Sequence, residues 1–153
     1  MSQSTKTAIT TGINGQLGQF MAKYLLDNHP HVKVIGTVRH KSHDAQPYLF
    51  DRALITTELM DLCDSHSIET LIVKYKPDYF INTAANAFVG ESWQVPVQHF
   101  EFNSLGVLHQ LEAIRKYSPR TRYFNMGTSE EFGATKKSFL NEDSLLAPRS
   151  PYG

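Results

Sequence analysis

The stretch TTGINGQLGQF, residues 10–20, sets three glycines, Gly12, Gly15 and Gly18, three positions apart. Thr7 to Thr11 reads as a strand before them. Gln16 to Asn28 reads as a helix after them, with Phe20, Met21, Tyr24 and Leu25 on one face. Glycine at such a junction lets the backbone turn tightly and come close to a diphosphate, whose charge is favoured by the N–H groups opening the helix. An ordinary glycine-rich turn is the alternative, since the spacing alone is a weak signal. Strand before, helix after and a place near the N-terminus favour dinucleotide binding, with Gly12, Asn14, Gly15, Gln16, Leu17 and Gly18 as candidate contacts.

Beyond this turn the same alternation continues. VKVIGTV (32–38) is a second strand and TTELMD (56–61) a shorter third. SIETLIVKYK (67–76) is helical, DYFINTA (78–84) is a fourth strand, Val97 to Tyr117 is a long helix and RYFNMGT (122–128) a fifth strand. Each parallel neighbour needs a crossover, so strand and helix in alternation predict an α/β fold: a doubly wound parallel sheet with helices on both faces. Tyr75, Tyr79, Phe80, Trp93 and Phe100 are expected to pack in the core or between helices, and RYFNM to be a buried strand rather than a base-stacking surface.

Composition narrows the function classes. The chain has 153 residues, 41% apolar and 20% charged, which suits one compact domain. Lys plus Arg equal Asp plus Glu at 15 each, so there is no electrostatic case for nucleic acid or an anionic membrane. The single cysteine, Cys63, excludes an internal disulfide and fits a reducing compartment. No apolar run approaches the roughly 20 residues that span a bilayer, and MSQSTK lacks the apolar core of a secretion signal, so a cytoplasmic location is expected. His29 with His31, and Cys63 with His66, are not joined by further ligands at metal-site spacing, and no metal is expected.

The end of the second strand bears on which dinucleotide is held. About 20 residues past the glycines an acidic side chain commonly bonds the ribose 2′-hydroxyl of NAD. Here VIGTVRHKS (34–42) has no carboxylate before Asp44 and carries Arg39 and Lys41 instead. A planar guanidinium suits a 2′-phosphate and favours NADP; a solvated basic loop is the alternative.

Taken together, TGxxGxxG at residues 11–18, MDLCD at 60–64, NTAA at 82–85, TSE at 128–130 and SPY at 150–152 resemble the extended short-chain dehydrogenase/reductases. More narrowly they resemble the nucleotide-sugar 4,6-dehydratases that act on GDP-mannose, over Lys6 to Gly153. The resemblance implies a Rossmann-like domain with Asp61 and Leu62 against the adenine, Ala84 and Ala85 beside the cofactor, and Asn103 supporting the active site. It implies internal redox chemistry on a nucleotide hexose. Tyr152 takes the O4 proton as NADP⁺ takes hydride from C4, Glu130 takes the C5 proton, Thr128 and Ser129 bond the sugar hydroxyls, and hydride returns to C6 as water leaves. Leu17, Phe88 and GTSEEFG (127–133) depart from the dehydratase pattern. A related reductase or epimerase, and a non-catalytic NADP-binding module, are the other readings.

The final SPYG has Ser150 and Pro151 in the order that starts a helix. The family pattern places a lysine four residues after Tyr152, where its charge would stabilise the phenolate. The expectation is therefore that residues 1–153 form an incomplete NADP-binding domain, cut before the last strands and the C-terminal substrate region. Alone, it is expected to be inactive on its nucleotide-sugar, GDP-mannose, and to associate through apolar surface left uncovered. The full-length enzyme is expected to be a homo-oligomer.

Overall fold

The computed structural model describes residues 5–40, 48–135 and 138–153; Lys41 and Asp44 lie outside them. Five parallel strands form one sheet: β1 (Lys6–Thr10), β2 (Val32–Val38), β3 (Thr56–Leu59), β4 (Tyr79–Asn82) and β5 (Arg122–Asn125), in the order β3-β2-β1-β4-β5. The central β1 pairs Ala8 with Val34 on one side and with Tyr79 on the other. The predicted fold class is the one observed.

Side chains alternate along each strand and so feed two apolar layers. Ile9, Ile35 and Phe80 point to one face, where Ile68, Leu71 and Ile72 of α2 (Ser65–Tyr75) and Ala113 and Ile114 of α4 (Gly106–Tyr117) cover them. Val34 and Val38 point to the other face and meet Ile13 and Ala22, with Leu25 and Leu26 of α1 (Gln16–Asn28) packed alongside. Local signals mark the helix ends. The Asp64 side chain accepts from the His66 N–H at 3.0 Å to start α2. Lys76 ends it in the left-handed region at φ 41°, just before Pro77.

Four expectations are corrected. The buried stripe of α1 includes Gly18 and Ala22, while Phe20 and Tyr24 are exposed, because small residues let the helix sit close to the sheet. The long helix is broken into α3 (Pro96–Phe100), a π turn (Glu101–Leu105) and α4. Trp93 and Phe100 face outward rather than into the core. β5 is an edge strand whose Phe124 is exposed, followed by an exposed Met126, so RYFNM is not buried. Among the described residues no helix is long and apolar enough to cross a membrane.

Candidate functional site

All five strands run the same way, so their C-terminal ends gather at one edge of the sheet, where β1 is flanked by β2 and β4. In open parallel sheets ligands lodge at such an edge. A cleft of about 650 Å³ opens there. Of the sequence candidates, Gly12, Asn14, Gly15, Arg39, Asp61, Leu62, Ala84 and Ala85 line it.

The glycine turn is built by close backbone contacts. Gly12 has φ +64°, and a Cβ there would lie 3.1 Å from Ala84 Cα. Its carbonyl accepts from the Gly15 N–H at 2.8 Å, and a Cβ on Gly18 would stand 2.3 Å from that same oxygen. Gly18 therefore sets the helix-to-turn distance and does not line the cleft; neither do Gln16 and Leu17, whose side chains are exposed. The N-terminus of α1 begins at Gly15 with no side-chain cap and no acid in its first turn. Its partial positive charge is therefore uncompensated from within the helix. A glycine-lined wall at the start of α1, with no acid in the helix's first turn, fits a dinucleotide diphosphate.

A buried polar network secures this rim. Thr11 Oγ1 donates to Asn82 Oδ1 at 2.6 Å and accepts from the Thr83 and Ala84 N–H groups at 3.0 Å each. Asn82 in turn donates to Asn125 at 2.8 Å and accepts from Gln110 at 3.3 Å, while the Tyr123 hydroxyl donates to Gln110 Oε1 at 3.0 Å. Burial pushes the Tyr123 phenol far above its ordinary range, with the Asn82 side chain opposing the shift.

Toward β3 the walls are Asp61 and the buried Leu62. The Asp61 carboxylate accepts from the Cys63 N–H at 2.9 Å, and Gly106 packs so closely that a Cβ there would lie 2.9 Å from Leu62 Cβ. Partial burial, then the charges of Asp61 and Glu101, raise the Cys63 thiol above its usual value, so it is not an activated nucleophile. Asn103 stays off the cleft wall. It clamps Asn86, which does line the cleft, donating to its carbonyl and accepting from its N–H, both at 2.9 Å. The Tyr48 hydroxyl donates to Asn14 Oδ1 on the other flank.

Thr128, Ser129, Glu130 and Tyr152 lie outside the cleft lining. Thr128 Oγ1 accepts from the Glu130 N–H at 3.2 Å, opening a 3₁₀ turn over Ser129–Phe132. The chain's last residues lie beside this turn, where a Cβ on Gly153 would be 2.6 Å from the Glu130 carbonyl oxygen. Ser150 Oγ accepts from the Gly153 N–H at 3.2 Å, the contact of a helix cap. The Tyr152 ring meets the buried His99 ring edge-on at 6.2 Å between centroids.

Sequence reading missed Thr37, His40, Met60, Thr83, Asn86, Glu91, Gln98 and Phe102 in the cleft wall. Thr83 lies within the NTAA run and Asn86 directly follows it, so both could have been taken from it. Phe102 and Gln98 carry no spacing signal. Among the described residues no group of three or more His, Cys, Asp or Glu could hold a metal.

Comparison with known proteins agrees with this geometry. The family profile for GDP-mannose 4,6 dehydratase matches residues 9–153. GDP-mannose 4,6 dehydratase 2 of Arabidopsis thaliana is 33% identical, covering 96% of this chain and 42% of its own. The GDP-mannose 4,6-dehydratase of Vibrio cholerae is 31% identical, again over 96% and 42%. The chain thus spans less than half the length of these relatives. In fold it resembles the UDP-Glc/GlcNAc 4-epimerase of Campylobacter jejuni (TM-score 0.85, 21% identity, 97% of this chain and 45% of that one). It also resembles the UDP-glucose 4-epimerase of Brucella ovis solved with NAD (TM-score 0.81, 20% identity, 96% and 43%).

Proposed function

Because the chain belongs to the GDP-mannose 4,6 dehydratase family, we propose that its cleft is the NADP site of a nucleotide-sugar 4,6-dehydratase acting on GDP-mannose. The observation that carries the reading is the uncapped start of α1 behind the glycine turn, with Arg39 elsewhere on the wall of the same cleft. The diphosphate lies against the glycine turn before α1, where Gly12, Asn14 and Gly15 line the cleft, and Arg39 takes the 2′-phosphate. Asp61 and Leu62 wall the adenine, and the small Ala84 and Ala85 let the chain pass close to the nicotinamide side. NADP⁺, when bound, supplies a hydride acceptor and donor.

The sugar chemistry falls to the residues beside the last strand. Thr128 and Ser129 hydrogen-bond the hexose hydroxyls, Glu130 accepts the C5 proton and Tyr152 the O4 proton. Tyrosine titrates near pH 10, so making it a base at pH 7 takes about 4 kcal/mol of phenolate stabilisation. Because residues 1–153 span less than half the length of the relatives, they are proposed to bind NADP without turning over GDP-mannose by themselves, and the enzyme is proposed to work as a homo-oligomer.

Calorimetric titration tests the reading. NADP⁺ is expected to bind more tightly than NAD⁺, and Arg39→Ala to abolish the difference. Equal affinities, or no binding of either, would overturn it. Appearance of a 4-keto sugar when this chain is incubated with NADP⁺ and GDP-mannose would overturn the claim of inactivity.

A further inference from the structure

The structure assigns to Phe102 the role of a positioning residue that selects for the adenosine 2′-phosphate by holding Arg39; this rests on the reading of the cleft as an NADP site. The Arg39 guanidinium lies over the Phe102 ring, 5.8 Å from its centroid, within the range of a cation–π contact. Both residues line the cleft. Among the described residues Arg39 makes no ion pair, so the ring is its defined partner and its charge is not neutralised by a carboxylate contact.

The ring is fixed by what surrounds it. Phe102 is half-buried and packs on the apolar cluster that includes Met60 and Leu62. It lies in the π turn Glu101–Leu105, where the wider repeat shifts the register of side chains relative to α3. That shift allows consecutive residues to serve two places: Phe102 reaches Arg39, and Asn103 reaches the Asn86 backbone. The Asn103 clamp and the close Gly106–Leu62 approach hold the backbone on the C-terminal side of Phe102.

A guanidinium held by an aromatic ring keeps its N–H groups free to fork onto a phosphate, and less rotamer entropy is lost when the phosphate arrives. NAD⁺ has no phosphate at this position. Loss of the ring should therefore weaken NADP⁺ and leave NAD⁺ nearly unchanged, whereas a simple adenine wall would serve both cofactors equally.

The test is the dissociation constant of NADP⁺ and of NAD⁺ for the wild-type chain, Phe102→Leu, Phe102→Trp, Arg39→Ala and the Phe102→Leu/Arg39→Ala double variant. Phe102→Leu is expected to weaken NADP⁺ about three- to ten-fold and NAD⁺ less than about two-fold. Phe102→Trp should restore the NADP⁺ preference, and Phe102→Leu should have no further effect once Arg39 is alanine. Equal loss for both cofactors, no loss for NADP⁺, or additive effects in the double variant would overturn the assignment while leaving the NADP site standing. A wild-type chain without NADP⁺ preference would overturn the cofactor reading and the assignment with it.

Discussion

Thr11 shows how one side chain can hold a site it never touches. Its hydroxyl joins the end of β1 to Asn82 and to two N–H groups of the Thr83–Ala84 turn. Thr11→Val keeps the shape and leaves those two donors unpaired, at a cost of about 2–3 kcal/mol, readable as a lower urea midpoint. His99 is the converse case: it is 1% exposed, and among the described residues neither ring nitrogen has a hydrogen-bond partner. His99→Leu removes two unsatisfied polar atoms, so the melting temperature should hold or rise; a loss above about 1 kcal/mol would mean that the nitrogens are satisfied in solution. The sequence made Gly12 and Gly18 readable because backbone geometry demands glycine there. It hid Phe102 and Asn86, whose importance comes from neighbours that are remote along the chain.

The run from Val97 to Tyr117 reads as one helix from its apolar spacing, although Asn103, Ser104 and Gly106 are weak helix formers. The interruption at Glu101–Leu105 arises from tertiary contacts, the Asn103 clamp above all, which periodicity does not record. Replacing Asn103 with leucine removes both bonds to Asn86. We expect a loss of about 1–3 kcal/mol and faster hydrogen exchange at the Asn86 amide, with the α4 amides unchanged. Unchanged exchange at Asn86 would show that the clamp is not made in solution. The expected α1 face is partly right: Leu25 packs with Leu26 against the cluster, but Phe20 and Tyr24 are exposed, and the fully buried positions are Gly18 and Ala22, whose value is their small size.

Alternation of strands and helices sufficed to predict a parallel sheet, but not the order β3-β2-β1-β4-β5, which crossover connections decide. Nor did it reveal how much apolar surface stays in water: Phe124 and Met126 at β5, Leu108 and Leu111 on α4, and Phe139 and Leu145 near the end of the chain. We expect this chain to self-associate at micromolar concentration, and sedimentation as a strict monomer would contradict that. Stability should also fall in alkali. Burial holds Tyr123, and burial with the Glu58 bond holds Tyr75, protonated above the pH near 10 where tyrosine of the unfolded chain ionises. The unfolded state then releases protons first, so stability is full below that pH and declines above it. Tyr123→Phe should flatten the decline in urea midpoint between pH 9 and 11; an unchanged slope would assign the effect elsewhere.

The central position of β1 also bears on how the chain is made. β1 leaves the ribosome first, yet its second neighbour is not finished until Asn82 has been synthesised. Until then one side of the future sheet centre is an open row of hydrogen-bonding groups, able to pair with another nascent chain. The yield of soluble protein should therefore depend on translation speed and chaperone supply more than the finished fold suggests.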